Sequence, residues 1–343
     1  MSSVKKRDNH FVPVMYLKNW STGGKVQIYR TLVQHENVPI WKPFPLNGIG
    51  YLRNLYINTQ NGDECDQIET WFDQQFEAPA EAAIQKVISN AKLTPSDYKS
   101  IINFFALQDL RTPVKFIEHL KRADSNEFES MMRSVVDKVM SKGVPRNFQV
   151  TGEYKFHDEM PLKLKITKEE SGLMVHVENL IGRASWLWSI KRLLNTVSSH
   201  LHEHQWTILH PANGHEWFTS DNPVLKLNYY GEGSYDLKGG WGNEGTELIL
   251  PLGPRHLLYT LVGQKPPLPR GTRLSEEKTK LINHMLVENS HRYVISSHQC
   301  PQVTNYRQRL VLPEEVKHEL AQWKALNEHH SNKEKEFYSA KYA

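Results

Sequence analysis

The stretch Trp217-Phe-Thr-Ser-Asp-Asn-Pro-Val-Leu225 sets polar, turn-forming residues between aromatic and aliphatic ones. Its two ends carry side chains that favour extended strands. Pro223 keeps Asn222 out of the helical region and lacks a backbone N–H, so regular structure cannot continue through it. The segment therefore predicts a strand that stops abruptly at a polar corner formed by Ser220, Asp221 and Asn222.

A second strand candidate, Trp206-Thr-Ile-Leu209, precedes this corner, and Pro211-Ala-Asn-Gly214 between them is a turn signal. We therefore expect a hairpin over residues 205–227 whose return strand carries the polar corner at its end. Two interpretations of the corner stay open. It is either an Asx-type turn that caps its own backbone, or a polar site where a carboxylate and an amide project together.

Composition narrows the class of protein. The chain has 343 residues, of which 39% are hydrophobic, and a formal net charge of +4, which permits contact with nucleic acid without demanding it. No apolar run approaches the roughly 20 residues that a membrane-spanning helix needs. The two cysteines, Cys65 and Cys300, cannot build a disulfide framework or a zinc site alone. We expect a cytoplasmic protein that does not enter membranes.

Periodicity predicts an α+β fold in which helices pack on a mostly antiparallel sheet, as one large domain or two intimately packed ones. Helical spacing dominates residues 64–204, and strand-like apolar runs dominate residues 205–300. We expect residues 1–9 to form a flexible arm, residues 10–312 to form a single domain, and residues 313–343 to form a peripheral C-terminal helix.

Three further patterns refine this expectation. Thr167-Lys-Glu-Glu170 has the spacing of a capping box, which predicts a long helix from there to about His204. Residues 228–247 are rich in glycine and predict a loop or flap. Pro79 is expected to kink or split a helix that runs from Asp66 to about Asn90.

That helix carries a stripe of three carboxylates, Glu69, Asp73 and Glu77, at intervals of four residues. Such a stripe is typical of a solvated helix face. If it faces inward, it offers hard oxygen ligands of the kind that Mg²⁺ prefers.

The next helix begins at Thr94-Pro-Ser-Asp97, where a Thr cap is followed by proline and an acid. Gln108 and Arg111 lie on its otherwise apolar face, just before Pro113. A buried arginine is costly unless it is paired. Arg111 therefore either ties this helix to another through a carboxylate, or holds an anion such as phosphate with its planar fork.

Several short motifs, taken in their order along the chain, resemble the bacterial domain-of-unknown-function family numbered 4238. The resemblance covers roughly residues 8–298. The pieces that carry it are His10-Phe-Val-Pro13, Tyr16-Leu17, Ile49-Gly50, Leu55-Tyr56, Ile68-Glu69, Glu77, Gln108, Arg111-Thr-Pro113, Thr219-Ser-Asp-Asn-Pro223, Leu250-Pro-Leu252, Asn283 and Tyr293-Val-Ile-Ser296.

The family repeats a set of polar residues, and their chemistry is compatible with phosphodiester hydrolysis by a nuclease-like enzyme. In that hypothesis His10 is the acid or base, Glu77 and Asp221 hold Mg²⁺ or Mn²⁺, and Arg111 holds phosphate. Asn222 orients the substrate. The residues expected to contact substrate are Gln108, Ser220 and Asn283. RNA or DNA would be the partner, and a defence or toxin setting would suit such an activity.

The chain lacks a Walker loop, a Rossmann glycine fingerprint, a Gly-x-Ser-x-Gly elbow and a His-Glu-x-x-His helix. No nucleotide cofactor is therefore indicated. The alternative hypothesis is a non-catalytic module that binds a ligand or a protein, in which the same polar residues form a buried structural network. The two hypotheses differ in whether the polar residues face an open cleft or are closed off and hydrogen-bonded.

Overall fold

A computed structural model describes residues 7–60, 63–123, 130, 155–156, 161–170, 172–231 and 233–342. Helices surround several mostly antiparallel sheets, so the predicted α+β class is confirmed. None of the helices in these ranges is long and apolar enough to cross a membrane. The division of the chain into an arm, one domain and a terminal helix stays a prediction.

The largest sheet has five strands in the order β11-β16-β15-β13-β14, and a second has four in the order β12-β17-β2-β4. All pairs are antiparallel except β3 with β18. The strands are β1 Asp8–His10, β2 Lys25–Arg30, β3 Leu32–Val33, β4 Trp41–Pro45, β5 Tyr51–Arg53, β6 Asn58–Gln60, β7 Asp63–Cys65, β8 Lys155–Phe156, β9 Leu162–Glu169, β10 Gly172–Asn179, β11 Thr207–Leu209, β12 Thr219–Ser220, β13 Leu225–Gly231, β14 Ser234–Asp236, β15 Glu247–Gly253, β16 His256–Leu261, β17 Tyr293–Ser296 and β18 Leu310–Val311.

The helices pack their apolar faces against these sheets and against one another. They are α1 Val14–Leu17, α2 Gln67–Phe72, α3 Ala78–Ile88, α4 Pro95–Leu110, α5 Pro113–Ala123, α6 Arg183–Arg192, α7 Glu276–Asn289, α8 Val303–Tyr306 and α9 Pro313–Tyr342. Thr94 caps α4 with a complete capping box, as its sequence predicts. Trp20, Phe72 and Phe104 are fully buried in the main core.

The expected hairpin over residues 205–227 is wrong, although both of its strands exist. β11 pairs with β16, and β12 pairs with β17 some seventy residues further along the chain. The turn signal between them marks a connection that passes from one sheet to the other. The corner at residues 220–222 therefore lies at the end of a strand, as predicted, but its partner strand is a distant one.

The helix expected from Thr167 to His204 is wrong in its first half. β9 and β10 form an antiparallel hairpin with Glu169 opposite Gly172, so residues 162–179 do not belong to a helical region. Leu162-Lys-Leu-Lys-Ile166 alternates apolar and charged residues, which is the period of a strand. The second half is helical from Arg183, as predicted. Residues 131–154, also expected within the helical part, lie outside the described residues.

The helix that was expected to kink or split at Pro79 is divided into two α-helices just before that residue. α2 and α3 are joined by a π-helical turn, Asp73–Glu77, and Pro79 lies in the first turn of α3. Proline has no backbone N–H to donate, so the regular hydrogen-bond pattern cannot continue through Pro79. The carboxylate stripe does not lie on one surface: Glu69 is buried, whereas Asp73 is exposed.

Both chain ends contact the rest of the described structure. Residues 8 and 9 belong to β1, which pairs with β5. The C-terminal helix is present, and Glu334 and Phe337 in its second half are buried. Gly182 allows this close approach: a Cβ there would lie 2.5 Å from Nδ1 of His330.

A buried ion pair fastens α9 to α6. Nε and Nη2 of Arg183 donate to the two carboxylate oxygens of Glu334 at 3.1 and 2.9 Å, and both side chains are at most 2% exposed. Removing one member of such a pair leaves the other charge buried and unpaired, which costs more than the pair contributes.

We predict that Glu334→Ala lowers the free energy of unfolding by about 3 kcal/mol, because Arg183 would lose its counter-charge. Urea denaturation measures this change. Glu336→Ala is the matched control, since Glu336 is 76% exposed and pairs with Lys333 at the surface; its expected effect is below about 0.5 kcal/mol. Equal losses in the two variants would contradict the docking of α9 described above.

Candidate functional site

The carboxylate of Asp221 closes the polar corner against the backbone that enters β17. Oδ1 accepts a hydrogen bond from the amide of His291 at 2.7 Å, and Oδ2 accepts from the amides of Arg292 and Tyr293 at 2.6 and 3.1 Å. Successive amides that converge in this way form an anion-binding nest. The chain's own carboxylate occupies it, so both oxygens of Asp221 are engaged.

Asp221 is 3% exposed. Burial raises the pKa of its carboxyl above the usual range, and the charge of His291 and the three amide hydrogen bonds offset this only in part. The group is thus costly to bury and depends on the backbone donors around it.

The neighbours of Asp221 are also tied to the fold. Ser220 Oγ accepts a hydrogen bond from the amide of Asn222 at 3.1 Å, which is a local turn of the Asx or Ser type. The Asn222 side chain accepts from Thr112 Oγ1 at 3.3 Å and donates to the carbonyl of Asn289 at 3.1 Å. The corner therefore joins β12 to the end of α7 and to the start of α5.

A second group of buried hydrogen bonds surrounds the carbonyl oxygen of Phe11. This group and the hydrogen-bonded corner at Asp221 are called the two polar closures below. Gln108 Nε2 and Arg111 Nε donate to it at 2.9 and 3.1 Å. Arg111 Nη1 also donates to Glu77 Oε1 at 2.6 Å, and the Arg111 side chain is 1% exposed. Arg111 thus links α4, the π turn and the segment before α1, which agrees with the structural interpretation of this arginine.

Two atoms of this closure remain without a hydrogen-bond partner among the described residues: Gln108 Oε1 and Arg111 Nη2. A buried guanidinium with one donor that makes no hydrogen bond can still donate to a further acceptor.

The other candidate residues take separate positions. His10 ends β1, with its ring 5.6 Å from that of Tyr51. Asn283, in α7, accepts from the amide of Phe218 at 3.1 Å and donates to the carbonyl of Glu216 at 2.8 Å. Asn283 therefore holds the strand segment before β12, and both ends of its amide are used by the backbone.

The carboxylates proposed as metal ligands point to different partners. Glu77 pairs with Arg111, whereas Asp221 accepts only from backbone amides. No group of three or more His, Cys, Asp or Glu side chains suited to a metal ion occurs in the described parts of the chain. Binding of Mg²⁺ or Mn²⁺ by Glu77 and Asp221 stays a prediction.

A pocket of about 380 Å³ lies over the two closures. Phe11, Pro113 and Asp221 line it, so the pocket borders both of the closures. The helix α9 supplies another wall through Val316, Leu320 and Trp323, and strands β2, β3, β5 and β17 also contribute residues. The segments that the sequence marks as candidates therefore meet, but most of their polar side chains are engaged beneath the pocket rather than in it.

The charged groups that line the pocket are mostly ones that the sequence motifs did not mark. Arg292 Nε donates to both oxygens of Glu319 at 2.7 and 3.0 Å, and His291 Nε2 lies 3.3 Å from the same carboxylate. Burial alone would raise the pKa of Glu319, but the hydrogen bonds and charges of His291 and Arg292 outweigh it and hold that pKa below its usual value. Arg30 lines the pocket from the end of β2.

Comparison with known proteins identifies the family to which the chain belongs. The family described as "Protein of unknown function (DUF4238)" matches residues 8–299, most of the chain, and the protein belongs to this family. The resemblance seen in the motifs is therefore confirmed. No curated protein and no solved structure matches the chain. α9, which supplies Glu319 and Trp323 to the pocket, lies beyond the matched residues.

We predict that Asp221→Asn lowers the free energy of unfolding by about 3 kcal/mol, because an amide presents N–H groups where three backbone donors need an acceptor. Thermal or urea denaturation measures this. Asp73→Asn, at an exposed position of the π turn, is the control and should stay within about 0.5 kcal/mol of the parent. A negligible loss for Asp221→Asn would show that the three contacts do not hold the corner.

Proposed function

We propose that this protein is a non-catalytic binding module that holds a small ligand in the pocket over the two polar closures. The observation that carries the proposal is the pocket itself: about 380 Å³ of concave space with apolar walls and a few convergent charged groups. Ligand sites in proteins have this size and this combination of surfaces.

The hydrogen bonds that the polar motif residues make to backbone groups support a structural role for most of them. Gln108 and Arg111 share the carbonyl of Phe11, Asn283 holds two backbone groups, and Asp221 holds three. Groups committed in this way shape a site and keep it rigid, and such support is what a binding pocket needs in order to be preformed.

A thermal-shift screen with a library of small organic fragments tests the proposal. Ligands that bind only the folded protein raise the unfolding free energy by about 2.7 kcal/mol at a concentration 100 times their Kd. We expect such compounds to raise the Tm of the parent but not of Val316→Trp, in which an indole fills part of the pocket. Val177→Trp, at an exposed position of β10 outside the pocket, should respond like the parent. Fragments that stabilise all three proteins alike would contradict the assignment of the site.

Phosphodiester hydrolysis is the second candidate, with RNA or DNA as substrate and Mg²⁺ or Mn²⁺ as the metal. The observation that favours it is the imidazole of His291 beside Glu319 in a pocket that also holds two arginines. An imidazole oriented by a carboxylate is the usual arrangement of a general acid or base. His10 and Arg111 would keep the acid–base and phosphate-holding roles that the motifs suggest for them.

Incubation of the purified protein with RNA and with DNA, with and without Mg²⁺ or Mn²⁺, decides between the two candidates. Cleavage that disappears in His291→Asn, at an unchanged Tm, would establish hydrolysis and overturn the non-catalytic proposal. We expect no cleavage in any of these conditions. Asp221→Asn is unsuitable here, because it is expected to weaken the fold.

A further inference from the structure

One of the charged side chains that line the pocket has no ion-pair partner in the described parts of the chain. Glu319 is matched by Arg292 and His291, and Asp221 is matched by three backbone amides. Arg30 forms no ion pair among the described residues. The wall of the pocket therefore contains one guanidinium, that of Arg30, which no described carboxylate contacts.

Arg30 is only partly exposed, and its surroundings do not replace a counter-charge. Its guanidinium lies over the ring of Phe44, with 5.1 Å between the guanidinium carbon and the ring centre. Its Nε is shielded from solvent and has no hydrogen-bond partner in the part of the chain that the structure describes. A desolvated donor without a partner is costly. An anion in the pocket would remove this cost.

Tyr293 stands directly opposite Arg30. The two residues face each other across the antiparallel pair of β17 with β2, so their side chains project from the same face of the sheet. Both line the pocket. The phenolic hydroxyl of Tyr293 makes no hydrogen bond to any described residue, and it can donate to an oxygen. Arg30 and Tyr293 thus supply a guanidinium and a hydroxyl to the lining of the same pocket.

The remaining walls suit a flat apolar group. α9 contributes the indole of Trp323 and the side chain of Leu320, which is 66% exposed at the rim, and Tyr51 adds a second partly exposed ring. Exposed apolar side chains around a concavity mark a site that a ligand covers.

We propose that the ligand is a small organic anion with an aromatic or other flat apolar body. Its carboxylate, phosphate or sulfonate group accepts hydrogen bonds from Arg30 and Tyr293, and its body packs against Trp323 and Leu320. This inference rests on the proposed function, since it names the class of ligand for the same pocket.

Two fluorescent probes with the same rings test it: 1-anilinonaphthalene-8-sulfonate, which carries a sulfonate, and N-phenyl-1-naphthylamine, which does not. We expect the sulfonate probe to bind the parent protein about tenfold more tightly, because charge-assisted hydrogen bonds to an anion are worth that much. Arg30→Gln should abolish the preference. Arg122→Gln is the matched control, since Arg122 is 80% exposed and lies outside the pocket lining.

Tyr293→Phe provides an independent variant that removes only the hydroxyl. It should weaken the sulfonate probe several-fold and leave the neutral probe unchanged, and its Tm shows whether the fold is intact. Val316→Trp should block both probes, which assigns them to the pocket.

The outcomes separate the two proposals. If both probes bind with equal affinity and Val316→Trp blocks them, the pocket is a ligand site but the anion assignment is overturned. A preference for the sulfonate that survives Arg30→Gln also overturns it. If Val316→Trp blocks neither probe, or neither probe binds the parent, the binding function proposed for the pocket fails together with the ligand class.

Discussion

The burial of one carboxylate against backbone amides constrains much of this structure. Three consecutive amides of the segment 291–293 point at Asp221, and they and the charge of His291 offset part of the cost of burying it. To supply these amides, the chain that leaves α7 must turn tightly before it enters β17. That turn places Tyr293 opposite Arg30 and directs His291 and Arg292 towards the pocket. The carboxylate that the sequence offers as a metal ligand thus also fixes the turn that carries residues lining the pocket.

The same logic applies at the carbonyl of Phe11, which Gln108 and Arg111 hold from α4. The two closures form the floor of the pocket, and all of their residues lie within the range that matches the family. The wall opposite the floor comes from α9, which lies beyond the residues matched by the family. The floor therefore lies within the residues that match the family, whereas the α9 side chains that line the pocket lie beyond them.

Local patterns predicted the elements whose signals are local. The Thr94 cap begins α4 where the sequence predicts it, and strands β11 to β17 lie in the part of the chain where strand-like runs dominate. The β9–β10 hairpin was missed because its alternating residues were assigned a helical period. The pairing of β12 with β17 was missed because no spacing rule connects segments that lie so far apart. Within the site, the residue types were predicted but not their partners. Backbone amides that receive Asp221 leave no mark in the sequence, and neither does the position of Glu319 in a charged terminal helix.

The most direct test of this account is native-state hydrogen exchange at the amides of His291, Arg292 and Tyr293. If the Asp221 carboxylate holds the turn, these three amides exchange only when the surrounding structure opens, with protection close to that of the β15 and β16 amides. Exchange at the rate of an unstructured peptide, in a protein whose β15 and β16 amides remain protected, would show that the turn is not held by Asp221. The pocket would then lack the rigid floor on which the proposed binding depends.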